Sequence, residues 1–153
     1  MTKAKEQSLH REMRIHAPLT EVFAFFSEAA NLDRITPPWL HFRILHAPEK
    51  IESGLLIHYQ LAWHGIPMRW TTRIEEWQPP HQFIDSQLRG PYRLWHHTHT
   101  FEERDGGTLM YDVLRYAIPL GAVGDFFAGW WVRADVERIF DFRAEQIRTI
   151  FFS

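Results

Sequence analysis

The residues best equipped for chemistry lie in one stretch of this 153-residue chain, LWHHTHTFEERDGGTLMYDVLRY, residues 94–116. Asp105-Gly106 has the composition of a two-residue type I′ turn. That turn pairs Arg104 with Gly107, and so sets Phe101 opposite Met110, His99 opposite Asp112, His97 opposite Leu114 and Trp95 opposite Tyr116. Cross-strand partners share a face. Most of these eight are apolar or aromatic, so the face is assigned to the interior. His99 and Asp112 then become a buried pair within hydrogen-bond reach, while His96, Thr98 and Thr100 point outward. On the preceding strand, residues 83–89, Asp85 and Gln87 are candidates for the same inner face, although either parity is possible. Tyr59 and Arg73 are further candidates for the polar side of an interior space.

Three chemistries fit this set. His99 with Asp112 can be a satisfied buried pair that holds the hairpin in register. His97, His99, Asp112 and Asp85 can be the few polar groups that orient an otherwise apolar ligand. Alternatively, His99 can act as a general base oriented by Asp112, or His97 and His99 can chelate zinc as an H-x-H pair. The zinc reading lacks a third ligand in the sequence, so no metal or other cofactor is expected. A serine-type triad is disfavoured, because Ser86 is the only serine in the strand region and is expected to face outward.

The elements that must position these residues read as follows. Residues 9–15 alternate with period two, as a strand does. After Ala17-Pro18, Leu19, Val22, Phe23, Phe26 and Ala29 recur at helical spacing. A second short helix is expected over residues 31–35 with Asn31 as its N-cap, ended by Thr36-Pro37-Pro38. Strands follow at residues 42–46, 54–63, 68–77, 83–89, 94–103 and 108–118, divided by Pro- and Gly-rich turns. In the last 30 residues Val132, Val136, Ile139, Phe140, Ile147 and Ile150 form the apolar stripe of one long amphipathic helix. The expected fold is α+β: a curved antiparallel sheet of six to seven strands around a long C-terminal helix, with two short helices after the first strand. One helix about 10 Å across cannot fill a strongly curved sheet, so a cavity is expected between them.

The segment 119–131, PLGAVGDFFAGWW, joins the last strand to that helix. Phe126, Phe127, Trp130 and Trp131 are read either as a gate over one end of the cavity, loosened by three glycines, or as helix-start or dimer-contact residues. Shallow membrane contact is a third reading, but the segment has no flanking Lys/Arg cluster. Trp39, in Pro37-Pro38-Trp39-Leu40, is expected at the opposite lip.

Composition bounds the alternatives. Aromatic residues make up 15% of the chain, enough rigid surface to wall a cavity. There are no cysteines, which removes thiolate chemistry and fits a cytoplasmic location. A formal net charge of −2 gives no electrostatic footprint for nucleic acid. No signal peptide and no membrane span are expected. The division expected is a polar tail over residues 1–8 and one domain over residues 9–153.

The opening HAPLTEVFAFFSEAANLDRITPPW and the closing VERIFDFRAEQI, together with the element order, resemble the START-like, or helix-grip, superfamily. That superfamily includes polyketide cyclase/dehydrase-type proteins, lipid-transfer domains and the birch-pollen allergen group. Within it the chain is similar to a bacterial ligand-binding group, through the NL..ITPPW, FID.Q.RGPY..W.H.H.F and D.L.Y..PLG segments. The resemblance spans residues 9–152 and implies the fold. For function it implies a cavity for a small apolar ligand such as a lipid, an isoprenoid or an aromatic polyketide. A cofactor-independent cyclase, dehydratase or isomerase using His99 and Asp112 is the alternative, and a regulatory protein-interaction module a second one. The expected ligand contacts are His97, His99, Asp112, Tyr116, Trp95, Phe101, Asp85, Gln87, Tyr59 and Arg73. A homodimer is compatible with all three readings.

Overall fold

The computed structural model describes residues 6–152. Seven strands form one antiparallel sheet: β1 (Gln7–Ile15), β2 (Arg43–His46), β3 (Leu56–Trp63), β4 (Ile66–Gln78), β5 (Gln82–Arg89), β6 (Leu94–Arg104) and β7 (Gly107–Ala117). Their order is β1-β7-β6-β5-β4-β3-β2, a meander whose far side is closed by the first strand. Two helices complete the chain, α1 (Leu19–Phe26) and α2 (Gly121–Phe152), with 3-10 turns at Ala29–Ile35 and Pro38–Leu40. No helix among the described residues is long and apolar enough to cross a membrane. Of the expected tail, residues 1–5 lie outside the described residues, as does residue 153. Gln7 and Ser8 already pair with Tyr116 and Arg115, so the first strand opens two residues earlier than its apolar alternation suggests.

Two hairpins take the tight turn that their residues favour. Asp105 and Gly106 both have positive φ, 51° and 77°, as a type I′ turn requires, and His64 and Gly65 repeat this at 47° and 82°. The β6–β7 register is therefore the one read from the turn: Arg104 opposite Gly107, His99 opposite Asp112, Trp95 opposite Tyr116.

The helical segments differ from the periodicity in two places. The first helix ends at Phe26, not Ala29, because the Ser27 hydroxyl turns back to donate to the Phe23 carbonyl at 2.9 Å. Asn31 does not cap a helix start. Its side-chain amide donates to the Phe25 carbonyl at 2.8 Å and so closes the end of α1. The second difference is larger. Of the segment 119–131, read either as a loosened gate or as the helix start, residues 121–131 form the first third of α2, which runs for 32 residues or about 48 Å. Gly124 lets the helix start close against the chain: a Cβ there would run into the Pro119 carbonyl oxygen.

Packing divides into three apolar clusters around a space; the third joins Ile57 and Ile74 of the sheet to Ala29 and Ile51, and the other two hold α2. One joins Phe23 and Phe26 of α1 to Phe83, Phe101 and Met110 of the sheet and Ile147 of α2. The other joins Leu114, Tyr116 and Ile118 to Val132, Val136 and Phe140. Two expected ligand contacts are thereby corrected. Phe101, 1% exposed, and Tyr116 are packed in these clusters, where the facing helix leaves no opening to a cavity. Phe101 meets the rings of Phe23 and Phe26 at 5.5 and 5.3 Å. Phe101→Ala should accordingly lower unfolding free energy by about 3–5 kcal/mol in urea denaturation; a loss under about 1 kcal/mol would mean that this end of the sheet is not close-packed.

Candidate functional site

The space between sheet and helix is a cavity of about 480 Å³. It exists because α2 presents small residues to the sheet in its first turns: Gly124, Ala128 and Val132 succeed one another at four-residue spacing along the lining. Opposite them β3 and β4 contribute Tyr59, Leu61, Trp63, Met68 and Trp70, and β6 contributes Trp95. Rings pack on rings here. Tyr59 stacks on Trp70 at 5.8 Å, and Trp70 meets Trp95 edge-on at 5.2 Å. The walls are thus stiff, which keeps the space open.

The polar groups gather at one floor. Asp85 on β5, His97 and His99 on β6, Asp112 on β7 and Arg143 on α2 form a single buried network. Alternation puts them there: Asp85 lies opposite His97, and His99 opposite Asp112. The direct partners differ from those expected. His97, diagonal to Asp112, takes its carboxylate at 2.8 Å, whereas His99 Nδ1 lies 3.2 Å from the same oxygen. The short contact of His99 is with Asp85, Nε2 to Oδ2 at 2.6 Å. Arg143 Nη2 lies 3.2 Å from His99 Nδ1 and 3.5 Å from Asp112. A guanidinium can only donate. With Nδ1 accepting from it, the His99 proton sits on Nε2 and faces Asp85. Phe83 stacks on the His99 ring at 3.9 Å and fixes its plane.

Electrostatics follow from this geometry. Burial pushes the Asp112 carboxyl upward, but Arg143 beside it and the two histidines outweigh burial and hold it well below the usual carboxylate range. Asp85 is likewise held low against burial, chiefly by its bond to His99. Burial, reinforced by neighbouring His99, lowers His97 to about 4 in spite of Asp112. His97 is therefore neutral near pH 7 and donates to Asp112 through Nε2–H. Of the acid–base groups, Asp85 reaches the cavity best, with a side chain 18% exposed against 3% for His99. The third ligand that a metal reading lacked is thus Asp85: one donor atom from each of Asp85, His97 and His99 lies within 4.8 Å of the others. In the network as it stands Asp85 and His99 bond each other, His97 bonds Asp112, and Arg143 supplies positive charge.

Other expected positions are placed as follows. Tyr59 and Trp95 line the cavity, and the Tyr59 hydroxyl lies 3.1 Å from that of Thr72. Gln87 has the inner parity, opposite Thr72, but its amide is spent on the backbone N–H and carbonyl of Tyr92, bracing the β5–β6 turn. Arg73 falls at an odd position of β4 between buried Thr72 and Ile74, so it faces solvent and is no cavity residue. Ser86 faces outward, where it donates to Glu75 at 2.6 Å. Trp39 is a surface ring against Phe142 and under the Arg138 guanidinium; its neighbour Leu40 lines the cavity instead. The gate is corrected too. Phe126, Phe127 and Trp130 are 80%, 74% and 74% exposed, on the face of α2 turned away from the cavity. Of the four rings read as a gate only Trp131 takes part in a bridge across this end, with Trp63 and His64, which the sequence does not single out. Trp63 Nε1–H donates to Asp135 at 2.9 Å, His64 meets the same oxygen at 2.7 Å, and Trp131 packs on both rings. Arg143 was missed as well, although it stands three residues after Phe140 and four before Ile147, on the buried stripe.

The pH dependence of stability tests the network. The folded-state value of His97 lies below its unfolded one, so between pH 6.5 and 4 the unfolded chain binds the extra proton. Stability should fall by up to ~3 kcal/mol as pH drops through that window. It should fall further below pH 4, where Asp85 and Asp112, both depressed, are protonated. Urea titrations at several pH values read this, and His97→Gln should flatten the upper window; an unchanged slope would show that His97 is not the group titrating.

Comparison with known proteins places this geometry. No curated protein matches the chain by sequence. Among solved structures, Zhui aromatase/cyclase from Streptomyces sp. R1128 is similar over 95% of this chain and 93% of its own, with a TM-score of 0.73 and 16% identity. Ginseng major latex-like protein 151 from Panax ginseng is similar over 95% and 97%, at 0.70 and 12%. Ara h 8.0201 is similar over 97% and 99%, at 0.69 and 13%. These likenesses establish the helix-grip fold. Residues 15–140 match the family described as "Polyketide cyclase / dehydrase and lipid transport", and the chain belongs to that family.

Proposed function

We propose that this protein binds and carries a small, largely apolar molecule, a lipid, an isoprenoid or an aromatic polyketide, in the cavity under α2. The observation that supports it best is the cavity itself: about 480 Å³ with aromatic walls and a single polar floor. Its size falls within the range of small-molecule pockets, and apolar lining with a few convergent polar groups is how such pockets orient a ligand. Asp85 and Arg143 are the charged groups that line it, one accepting and one donating. Two buried donors of lining residues, Trp70 Nε1–H and Arg143 Nε–H, lack a partner among the described residues. Both features favour a ligand bearing oxygen acceptors as well as apolar surface.

Native mass spectrometry of the purified protein, together with displacement of a fluorescent fatty acid, tests the reading. Ile139→Trp, which puts a large ring into the lining, should leave the fold intact and weaken binding at least tenfold, about 1.4 kcal/mol. Absence of any bound compound and of any displaceable probe would remove the proposal.

One observation favours a second reading, a cofactor-independent cyclase, dehydratase or isomerase. Asp85 faces the cavity with the His99 Nε2–H donating to it from behind at 2.6 Å, so the imidazole orients the carboxylate and the carboxylate itself accepts the substrate's proton. In this reading Asp85 takes the substrate-facing role, and Asp112 orients the histidines from behind. Asp85→Asn should then abolish turnover of an enolisable substrate while apolar-probe affinity changes less than about threefold; equal loss of both would assign Asp85 to binding alone.

A further inference from the structure

Eleven large apolar side chains are exposed among the described residues, and they are not scattered. Eight belong to one end of the molecule: Ile66 and Leu88 at the ends of β4 and β5, and six on the first third of α2 or just before it. On the helix, Val123, Phe126, Phe127 and Trp130 follow i, i+3, i+4, i+7 spacing and make one stripe. Just before the helix Leu120 is 79% exposed and also lines the cavity, so the cavity reaches the surface at the same end of the molecule as the ridge.

The same end is basic. Arg69 at the start of β4, Arg89 at the end of β5 and Arg93 in the β5–β6 turn are all exposed. None of the three is ion-paired with a carboxylate among the described residues. Asp125, half-buried, is an acidic residue within the ridge. The opposite end of the sheet, around the β4–β5 and β6–β7 turns, holds Glu75, Glu76, Glu102, Glu103 and Asp105, of which Glu102 and Asp105 are ion-paired with Arg104 and Arg14. A net charge of −2 thus conceals a polarised molecule. The basic cluster absent from the sequence around residues 119–131 is assembled by the fold, from strand ends that lie 25 residues and more away in the chain.

We infer that this end is a docking surface for an anionic phospholipid bilayer, into which Phe126, Phe127 and Trp130 insert while the arginines meet the headgroups. Aromatic residues backed by cations are the composition that binds the interfacial region, and each arginine near an anionic surface adds attraction that salt screens. The cavity mouth then opens onto the membrane, and an apolar molecule can pass between them without crossing water. The inference goes beyond cavity binding and stands apart from it, since vesicle binding is measured on the protein without added ligand.

Co-sedimentation with phosphatidylcholine vesicles, with and without 30% phosphatidylglycerol, tests it. The protein should bind the anionic vesicles, release them as salt is raised from low to several hundred millimolar, and bind pure phosphatidylcholine at least about tenfold more weakly. Phe126→Ser with Trp130→Ser should cut binding about tenfold or more with an unchanged circular dichroism spectrum. Arg89→Glu with Arg93→Glu, which leaves the ridge untouched, should abolish the preference for anionic lipid. Absence of binding to anionic vesicles overturns the inference, as does undiminished binding by both variants. A dimer in sedimentation velocity that Phe126→Ser/Trp130→Ser dissolves, with no vesicle binding, also overturns it and assigns the ridge to a second copy of the chain.

Discussion

The carboxylate of Asp112 is the constraint around which the rest is arranged. It is buried, 4% exposed, and cannot remain charged there without partners. The partners come from separate elements: His97 from β6 and Arg143 from α2. Satisfying one buried oxygen therefore ties the last hairpin to the long helix. Asp85 then holds His99 from the other side and brings β5 into the same network. The helix is fixed over the sheet by this polar contact and by the apolar clusters on either side of it. Between those anchors its small residues leave the sheet uncovered.

How much of this was legible depended on how local the determining interaction is. The β6–β7 register was readable because a two-residue turn sets it, and period-two alternation carries the consequence along both strands. From that alone His97, His99 and Asp112 were placed on one buried face. Which histidine takes the short bond to Asp112 was not readable, because diagonal neighbours on a twisted sheet approach as closely as opposite ones. Asp85 needed the β4–β5 pairing, which carries two irregularities and so cannot be counted from its turn. Arg143 reaches the site from a helix 31 residues beyond Asp112, where no local pattern links the two. The error at Phe126, Phe127 and Trp130 had a different origin. The gate reading took three glycines to loosen the segment, and rings in a loose segment can be aimed anywhere. In a helix their spacing aims them all to one side, and the register of Gly124, Ala128 and Val132 toward the cavity leaves them the solvent side.

The bridge from Trp63 and His64 to Asp135 shows how the same helix serves two purposes. It spans from the tip of the β3–β4 hairpin to α2, so the free end of a long hairpin is fastened across the space it helps to enclose. His64 holds positive φ in the tight turn, which points its ring at the helix. One aromatic pair, Trp63 with Trp131, is thereby used for closure, while the rings around it on α2 stay free.

Stability alone does not account for the polar floor. A buried cluster of ionised groups is commonly replaceable by apolar residues of similar volume with no loss of stability, since removal from water offsets the mutual attraction. Register specification does not require it either. The type I′ turn and the alternation of buried and exposed residues along β6 and β7 already exclude a one-residue slip, which would bring Glu102, Thr100 and Thr98 into the core. The cluster also does not sit in the densest packing, where a purely structural pair would be best shielded. It borders the cavity, with Asp85 and Arg143 in its lining. Charged groups placed at the edge of an apolar cavity set the orientation of whatever enters, and that is the arrangement expected of a site selected for its occupant.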